Sequence, residues 1–193
     1  MHKDFKDLLS AFNAHKVRYL IVGGYAYARY TEPRTTKDLD LFVCPDPSNA
    51  AAVYAALGEV GAYLAGAEIA DFARPGTIFQ IGVAPFRIDV ICDIDGVTFD
   101  QAWATSEQAL VDEEVPVRYI SSENLIANKL AAGRPQDLVD VDKLRHAAET
   151  RRQHVARRKP PQMCIRDSSS PISSTSASPT SPRCSPIARS PSS

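Results

Sequence analysis

Tyr19-Leu-Ile-Val-Gly-Gly24, followed by Arg34-Thr-Thr-Lys-Asp-Leu-Asp-Leu-Phe42, decides how this chain is read. Val17 to Val22 is a short apolar strand, paired glycines break it, and Tyr25 to Tyr30 forms a helical turn behind the break. In the second stretch Leu39, Leu41 and Val43 alternate with Asp38, Asp40 and Phe42. Residues i and i+2 of a strand share a face, so Asp38 and Asp40 present their carboxylates together while the leucines turn to an apolar layer on the other side. A lone DxD is more often a solvent-facing strand end, but here Leu39, Leu41, Phe42 and Val43 bury the element that carries the charge. Asp89, in Arg87-Ile-Asp-Val-Ile91, projects opposite Ile88 and Val90 in the same way. Were the two strands neighbours, three carboxylates would converge, and like charges at that spacing require a counter-charge. Hard oxygen ligands suit Mg²⁺, which binds through one or two carboxylates and keeps positions open for substrate phosphates. Two such ions about 4 Å apart can activate an attacking oxygen and stabilise a leaving pyrophosphate. Gly23-Gly24 alone is a tight turn; with a helix behind it, its bare N–H groups are suited to cradle phosphate.

Outward from these stretches the chain alternates helix and strand. Phe5, Leu8, Leu9 and Phe12 recur at helical spacing and predict a first amphipathic helix. Pro47 to Leu57 reads as a helix, Thr77 to Val83 and Phe86 to Cys92 as a hairpin around Ala84-Pro85, Asp95-Gly96 as a turn, and Phe99 to Trp103 as a short helical piece. After Val117 to Ile120, Ser121 is the expected N-cap of a helix over Glu123–Ala132, with Gly133 just past its end. Pro135 then opens another helix running to about Ala148. The expected fold is α+β: a mixed-sheet core over residues 1–120 and a C-terminal helical pair over 121–159 of the same domain.

The 193 residues suit one domain with a tail, and 44% hydrophobic with 23% charged residues is ordinary globular composition. Apolar stretches are strand-length, excluding a membrane span, and Met1-His2-Lys3-Asp4 lacks the apolar core of a secretory signal, so the expected compartment is the cytoplasm. The four cysteines show neither CxxC nor zinc-ligand spacing; Cys44 and Cys92 end apolar runs and read as buried reduced thiols. The net charge of −1 combines −3 over residues 1–162 with +2 over residues 163–193. From Ser168 onward, 12 of 26 residues are serine and 5 proline, too little apolar surface to offset chain entropy, so residues 160–193 are expected to be a disordered tail. Met163-Cys-Ile-Arg-Asp-Ser168 back-translates as ATG-TGT-ATA-AGA-GAC-AG, like the end of a transposase adapter. A Ser/Pro/Arg-rich stretch behind it is what GC-rich DNA yields in a wrong frame. The tail is therefore read as non-native, against the alternative of a genuine flexible tail.

The two opening stretches resemble the signature of the DNA polymerase β-type nucleotidyltransferase superfamily. Within it the chain is most similar to AbiEii-type (abortive-infection toxin) nucleotidyltransferases, whose second signature is a lysine on a helix followed by a DxxD helix. Here that is Lys129 in Glu123-Asn-Leu-Ile-Ala-Asn-Lys-Leu-Ala-Ala-Gly-Arg134, then Asp137-Leu-Val-Asp140; the resemblance covers about residues 17–145. It implies that Asp38 and Asp40 hold the metals bridging an NTP, and that Asp89 completes the metal site and helps deprotonate the acceptor hydroxyl. It also implies that Gly23 and Gly24 line the triphosphate, that Lys129 neutralises phosphate charge, and that Asp137 orients Lys129 or acts near the acceptor. Gly24 departs from the pattern: many members carry serine there, so a hydroxyl contact to phosphate is absent. Arg34 and Lys37 could guide phosphate or be simple loop charges, and Arg87 could balance Asp89. Lys129 could equally be a snorkelling surface lysine, and Asp137 with Asp140 an exposed acidic face.

The function expected is Mg²⁺-dependent transfer of NMP from ATP, GTP, CTP or UTP to an RNA, tRNA included, or a protein, as a toxin–antitoxin or abortive-infection enzyme with a cognate antitoxin. Lys143, Arg145, Arg151, Arg152, Arg157, Arg158 and Lys159 form a basic stretch that suits an RNA backbone; a solvated last helix reads the same way. Two alternatives stand beside it. One is a small-molecule (antibiotic) nucleotidyltransferase, which would carry a drug-sized pocket rather than a basic groove. The other is a non-catalytic, antitoxin-like binding module.

Overall fold

The computed structural model describes residues 1–33, 36–83 and 86–158. The elements run α1 (Lys3–Ala14), β1 (Tyr19–Ile21), α2 (Gly23–Tyr30), β2 (Asp38–Val43), α3 (Pro47–Glu59), a 3₁₀ turn (Ile69–Ala73), β3 (Ile78–Val83), β4 (Phe86–Ile91), α4 (Phe99–Ala104), β5 (Glu107–Val111), β6 (Val115–Tyr119), α5 (Ser122–Ala132) and α6 (Pro135–Arg158). Six strands form one mixed sheet in the order β3-β4-β2-β1-β6-β5. β1 pairs antiparallel with β2 and parallel with β6, while β2 pairs parallel with β4. The α+β, mixed-sheet expectation is what the structure shows.

Local chemistry explains the element ends. Asp46 caps α3 by accepting the N–H groups of Ser48 and Asn49, and Thr98 and Gln101 form a reciprocal capping box at α4. Ser121 accepts from the Asn124 N–H at the start of α5, and Gly133 ends that helix in the left-handed region at φ +63°. The sheet's two faces are buried differently. Leu39, Leu41 and Val90 are fully covered on one face, where Phe72 of the 3₁₀ turn sits between Tyr54 of α3 and Phe79 of β3. The other face carries Asp38, Asp40 and Phe42, and the Phe99 ring of α4 packs on it at Phe42. Asn49 ties the neighbouring ends of β1 and β2: its amide bridges the backbone of Arg18 and Cys44.

Several expectations are corrected. The strand over Val17–Val22 shortens to Tyr19–Ile21, although the Val22 N–H still reaches the Asp40 carbonyl at 3.0 Å. The hairpin β5–β6 was not anticipated, because its turn uses Asp112 and Glu113 at φ +48° and +63°, where glycine or asparagine is the usual signal. The last helix extends ten residues beyond Ala148, to Arg158. Asp137 and Asp140 are buried while Leu138 and Val139 are half exposed, the reverse of an acidic solvent face. Cys44 and Cys92 are buried free thiols, pushed up to about 11 chiefly by burial. Among the described residues no helix is long and apolar enough to cross a membrane. The tail expected over 160–193 lies outside the described residues.

Candidate active site

β2 runs parallel to β4 in a register that sets Asp38 opposite Arg87 and Asp40 opposite Asp89. β3 pairs antiparallel with β4 and sets Gln80 opposite Asp89. Strand alternation therefore gathers all five polar side chains on one face. Their partners then differ. Arg87 grips Asp38 with both edges of its fork, Nε to Oδ1 at 3.2 Å and Nη2 to Oδ2 at 3.0 Å. Gln80 Nε2 donates to Asp89 Oδ1 at 2.9 Å. Asp40 has neither kind of partner; it receives a backbone hydrogen bond from Gly24.

The electrostatics follow from these partners. The Arg87 hydrogen bonds hold the Asp38 carboxyl below its ordinary range, aided by the charges of Arg87 and Lys37. Asp40 goes the other way: burial first, then the Asp89 charge, push it up to about 6 despite the Gly24 hydrogen bond. Asp38 adds to that rise and Arg134 opposes it. Asp40 is thus the least compensated carboxylate of the face.

Gly23 makes this placement possible. It sits at φ +56°, and a Cβ there would lie 2.7 Å from Asp40 Cγ, so only glycine lets the helix start beside the carboxylate. The expectation that both glycines offer free N–H groups to phosphate is refined, since the Gly24 N–H is already donated to Asp40. A Cβ at Gly24 would fall 3.0 Å from Thr36 Cβ. The Thr36 side chain thus occupies the space a serine at position 24 would need, and its hydroxyl, 3.3 Å from the Asp38 carbonyl, brings an O–H to the same corner. Lys37 is exposed beside Asp38; Arg34 lies outside the described residues.

The expected convergence of three carboxylates is also corrected. Asp40 and Asp89 oppose one another, but Asp38 is turned to Arg87, and among the described residues no three His, Cys, Asp or Glu side chains form a ready-made metal cluster. Asp38 pairs with Arg87 and Asp89 with Gln80, which relieves the repulsion between like charges. The donor set still fits a hard divalent ion. Two carboxylates face each other across adjacent strands, one is raised because its charge is poorly compensated, and glycine replaces any side chain that would fill the space beside it.

The second signature is built at the junction of α5 and α6. Lys129 is 7% exposed, its Nζ 2.8 Å from Asp137 Oδ1 and 2.9 Å from Asp140 Oδ2, with the Tyr27 ring centroid 5.8 Å away. It is neither a snorkelling lysine nor a group facing solvent phosphate. Burial would raise Asp137, but the hydrogen bonds from Lys129 and Arg134 outweigh it and hold the carboxyl below its ordinary range. Gln136 donates to the second oxygen of Asp140 at 3.0 Å. The structure thus brings Asp40, Asp89, Gly23 and Gly24 together, sets Asp38 on the same face but paired with Arg87, and binds Lys129 and Asp137 into a separate buried cluster. Gln80 and Thr36 were missed. Gln80 was within reach, because closing a hairpin on Ala84-Pro85 with Val83 opposite Phe86 puts residue 80 opposite residue 89.

Comparison with known proteins places this geometry. No curated protein matches the chain in sequence. Among solved structures, the lincosamide antibiotic adenylyltransferase LnuA bound to lincomycin is similar at 15% identity and a TM-score of 0.47, over 75% of this chain and 96% of that one. ANT(2'')-Ia in complex with adenylyl-2''-tobramycin is similar at 15% identity and a TM-score of 0.49, over 79% of this chain and 92% of that one. The family model described as "Nucleotidyl transferase AbiEii toxin, Type IV TA system" matches residues 7–160. That match spans the strand pair with its carboxylates and the lysine–aspartate helices alike, and the chain belongs to the AbiEii family of nucleotidyltransferases.

Proposed function

We propose that the chain transfers NMP from an NTP to an RNA acceptor, tRNA included, as the toxin of a toxin–antitoxin or abortive-infection pair whose partner is a cognate antitoxin. The observation that carries the site assignment is the Asp40–Asp89 register beside Gly23. Asp38, Asp40 and Asp89 would hold Mg²⁺, two ions in the full site, and the ions would supply Lewis-acid stabilisation of charge on the phosphates. Asp40 is seated against the N-terminal turn of α2, where the nucleotide's phosphates enter. Asp89 Oδ2, the oxygen that Gln80 leaves free, accepts the proton of the acceptor hydroxyl as that oxygen attacks the α-phosphorus in line and pyrophosphate departs. Lys37 beside Asp38 adds positive charge at the phosphate entry.

An RNA acceptor is favoured over a protein by the surface next to the site. A groove of about 1150 Å³ runs between the end of α2 and α6, lined by Tyr30, Lys143, His146, Arg151 and His154 among others. Lys143 and Arg151 supply its positive charge, beside His146 and His154 and with Glu32 and Asp142 on the same lining, while exposed Arg145 and Arg152 line a separate cavity of α6. The cations along α6 suit contact with a phosphodiester backbone.

The test incubates the protein with α-labelled ATP, GTP, CTP and UTP, Mg²⁺, and total cellular RNA and protein, beside an Asp38→Asn/Asp40→Asn control. A labelled RNA band that is lost in the control is the expected result. A labelled protein band instead would move the acceptor to protein. Label on neither, with NTP still bound, would favour a drug-sized acceptor or a binding module.

A further inference from the structure

The buried position of Lys129 leaves a question for any polyphosphate bound at Asp40. The acidic face needs cations to receive a nucleoside triphosphate, yet Lys129 spends two of its three N–H groups on Asp137 and Asp140 and is covered by the Tyr27 ring. Reaching phosphate would require breaking two charge-assisted bonds and removing the lysine's charge from between two buried carboxylates.

Arg134 stands one step outward. It follows the left-handed Gly133 at the turn between α5 and α6, and its side chain is 75% exposed. Its Nε donates to Asp137 Oδ2 at 2.6 Å, which pins one edge of the guanidinium. Among the described residues its Nη1 and Nη2 make no hydrogen bond. Through Asp137 it is joined to Lys129, which lies against the Tyr27 ring of α2, one turn past the glycines beside Asp40, and its charge acts on both Asp40 and Asp95. α2 packs on both α5 and α6. A guanidinium fixed at Nε and open at both Nη atoms is suited to fork a phosphate group.

We infer that Arg134 binds the polyphosphate of the incoming nucleotide through Nη1 and Nη2, and that Asp137 and Lys129 are positioning residues that hold it there. The inference rests on the nucleotidyl-transfer reading above and gives the second signature a role that its burial otherwise obscures: Lys129 fixes Asp137, and Asp137 fixes Arg134.

Binding without turnover tests this. The full chain is titrated calorimetrically, in Mg²⁺, with the four α,β-methylene nucleoside triphosphates, as wild type, Arg134→Gln, Arg134→Lys, Lys3→Gln and Asp38→Asn/Asp40→Asn. Losing a charge-assisted fork should weaken triphosphate binding about tenfold or more in Arg134→Gln. Its melting midpoint should stay near wild type, because the side chain is mostly solvent-exposed. Arg134→Lys should recover only part of the affinity, since lysine keeps the charge but cannot grip Asp137 and fork phosphate together. Lys3→Gln, on the exposed side of α1, should bind as wild type. Wild-type affinity in Arg134→Gln, with binding lost in the double aspartate variant, overturns the role of Arg134 and leaves the nucleotidyl-transfer reading intact. A fall in the melting midpoint large enough to account for the weaker binding overturns it as well, by making Arg134 structural. If the wild-type chain binds none of the four nucleotides, the nucleotidyl-transfer reading falls together with this inference.

Discussion

Two clusters of charge in this protein solve the same electrostatic problem in opposite ways. At the α5–α6 junction, Asp137 and Asp140 are buried, and Lys129 lies within 2.9 Å of both, with Arg134 and Gln136 filling further acceptor positions. Every charge there has a partner supplied by the chain. On the sheet face, Asp40 opposes Asp89 and is left with a single backbone donor, and its proton affinity rises to about 6 as a result. The first arrangement has the character of a structural joint, closed to ligands. The second is an incomplete site that a cation can complete. Burial of charge therefore does not by itself mark the reacting centre; the uncompensated member does.

The contrast can be broken most sharply at Asp40. Asp40→Asn should lower nucleotidyl transfer by roughly a thousandfold, as removal of a central electrostatic element of a phosphoryl-transfer site does. Initial rates with labelled NTP measure it; activity within tenfold of wild type would remove Asp40 from the site. Lys129→Met attacks the other cluster and should act on stability first. Removing the one cation between two buried carboxylates costs about 3–5 kcal/mol, read from denaturant midpoints. A chain that kept its stability but lost transfer would show Lys129 to be a reacting group after all.

The same comparison predicts opposite responses to pH. Asp40 is raised from 3.8 to about 6, so the native protein binds a proton that the unfolded chain releases between those values. The stabilisation is complete below the unfolded value and is lost as pH rises through about 6. The metal-free protein should therefore carry an Asp40 penalty of about 1–3 kcal/mol at pH 7.5. Asp40→Asn should remove it, making the inactive variant the more stable one, and saturating Mg²⁺ should shrink the difference. Asp137 is lowered, so its contribution is present at neutral pH and falls away on acidification. Urea unfolding of wild type and Asp40→Asn across pH 4 to 8 separates the two, and parallel curves would contradict the raised value.

The unequal legibility of the two clusters in the sequence has a physical origin. A strand's period of two fixes which side chains share a face, so Asp38 and Asp40 fall on one side of their strand and Asp89 opposite Ile88 and Val90 on its own. Whether the three meet depends on their neighbours. Gln80 opposite Asp89 follows from the hairpin closure, but Arg87 opposite Asp38 depends on the pairing of β2 with β4, strands far apart in sequence. On helices the ambiguity is greater. Asp137 and Asp140 sit three apart on α6 in either orientation, and Leu138 and Val139 beside them suggested the opposite burial. The deciding fact was the approach of α5, a tertiary contact with no local signature. The β5–β6 hairpin escaped for a related reason: its left-handed turn is made by Asp112 and Glu113, residues that carry no turn signal of the glycine kind.

Arg87 offers the gentlest way to test the difference between a closed cluster and one awaiting a cation. Its fork on Asp38 joins side chains 40% and 36% exposed, so the pair is solvent-screened and contributes little to folding. It does, however, place a positive charge where a divalent ion would draw on the same carboxylate. Arg87→Gln should leave the melting midpoint of the metal-free protein nearly unchanged and tighten Mn²⁺ or Mg²⁺ binding by about three- to tenfold, the scale of an exposed ion pair. Titration followed by Mn²⁺ paramagnetic resonance measures this without relying on turnover. Raising salt should narrow the gap between the two proteins, because a screened competitor is a weaker one. Were cation affinity instead to fall with Arg87 removed, the guanidinium would be holding Asp38 in its binding orientation rather than competing for it. The sheet face would then be preorganised by the same kind of internal pairing that closes the α5–α6 joint.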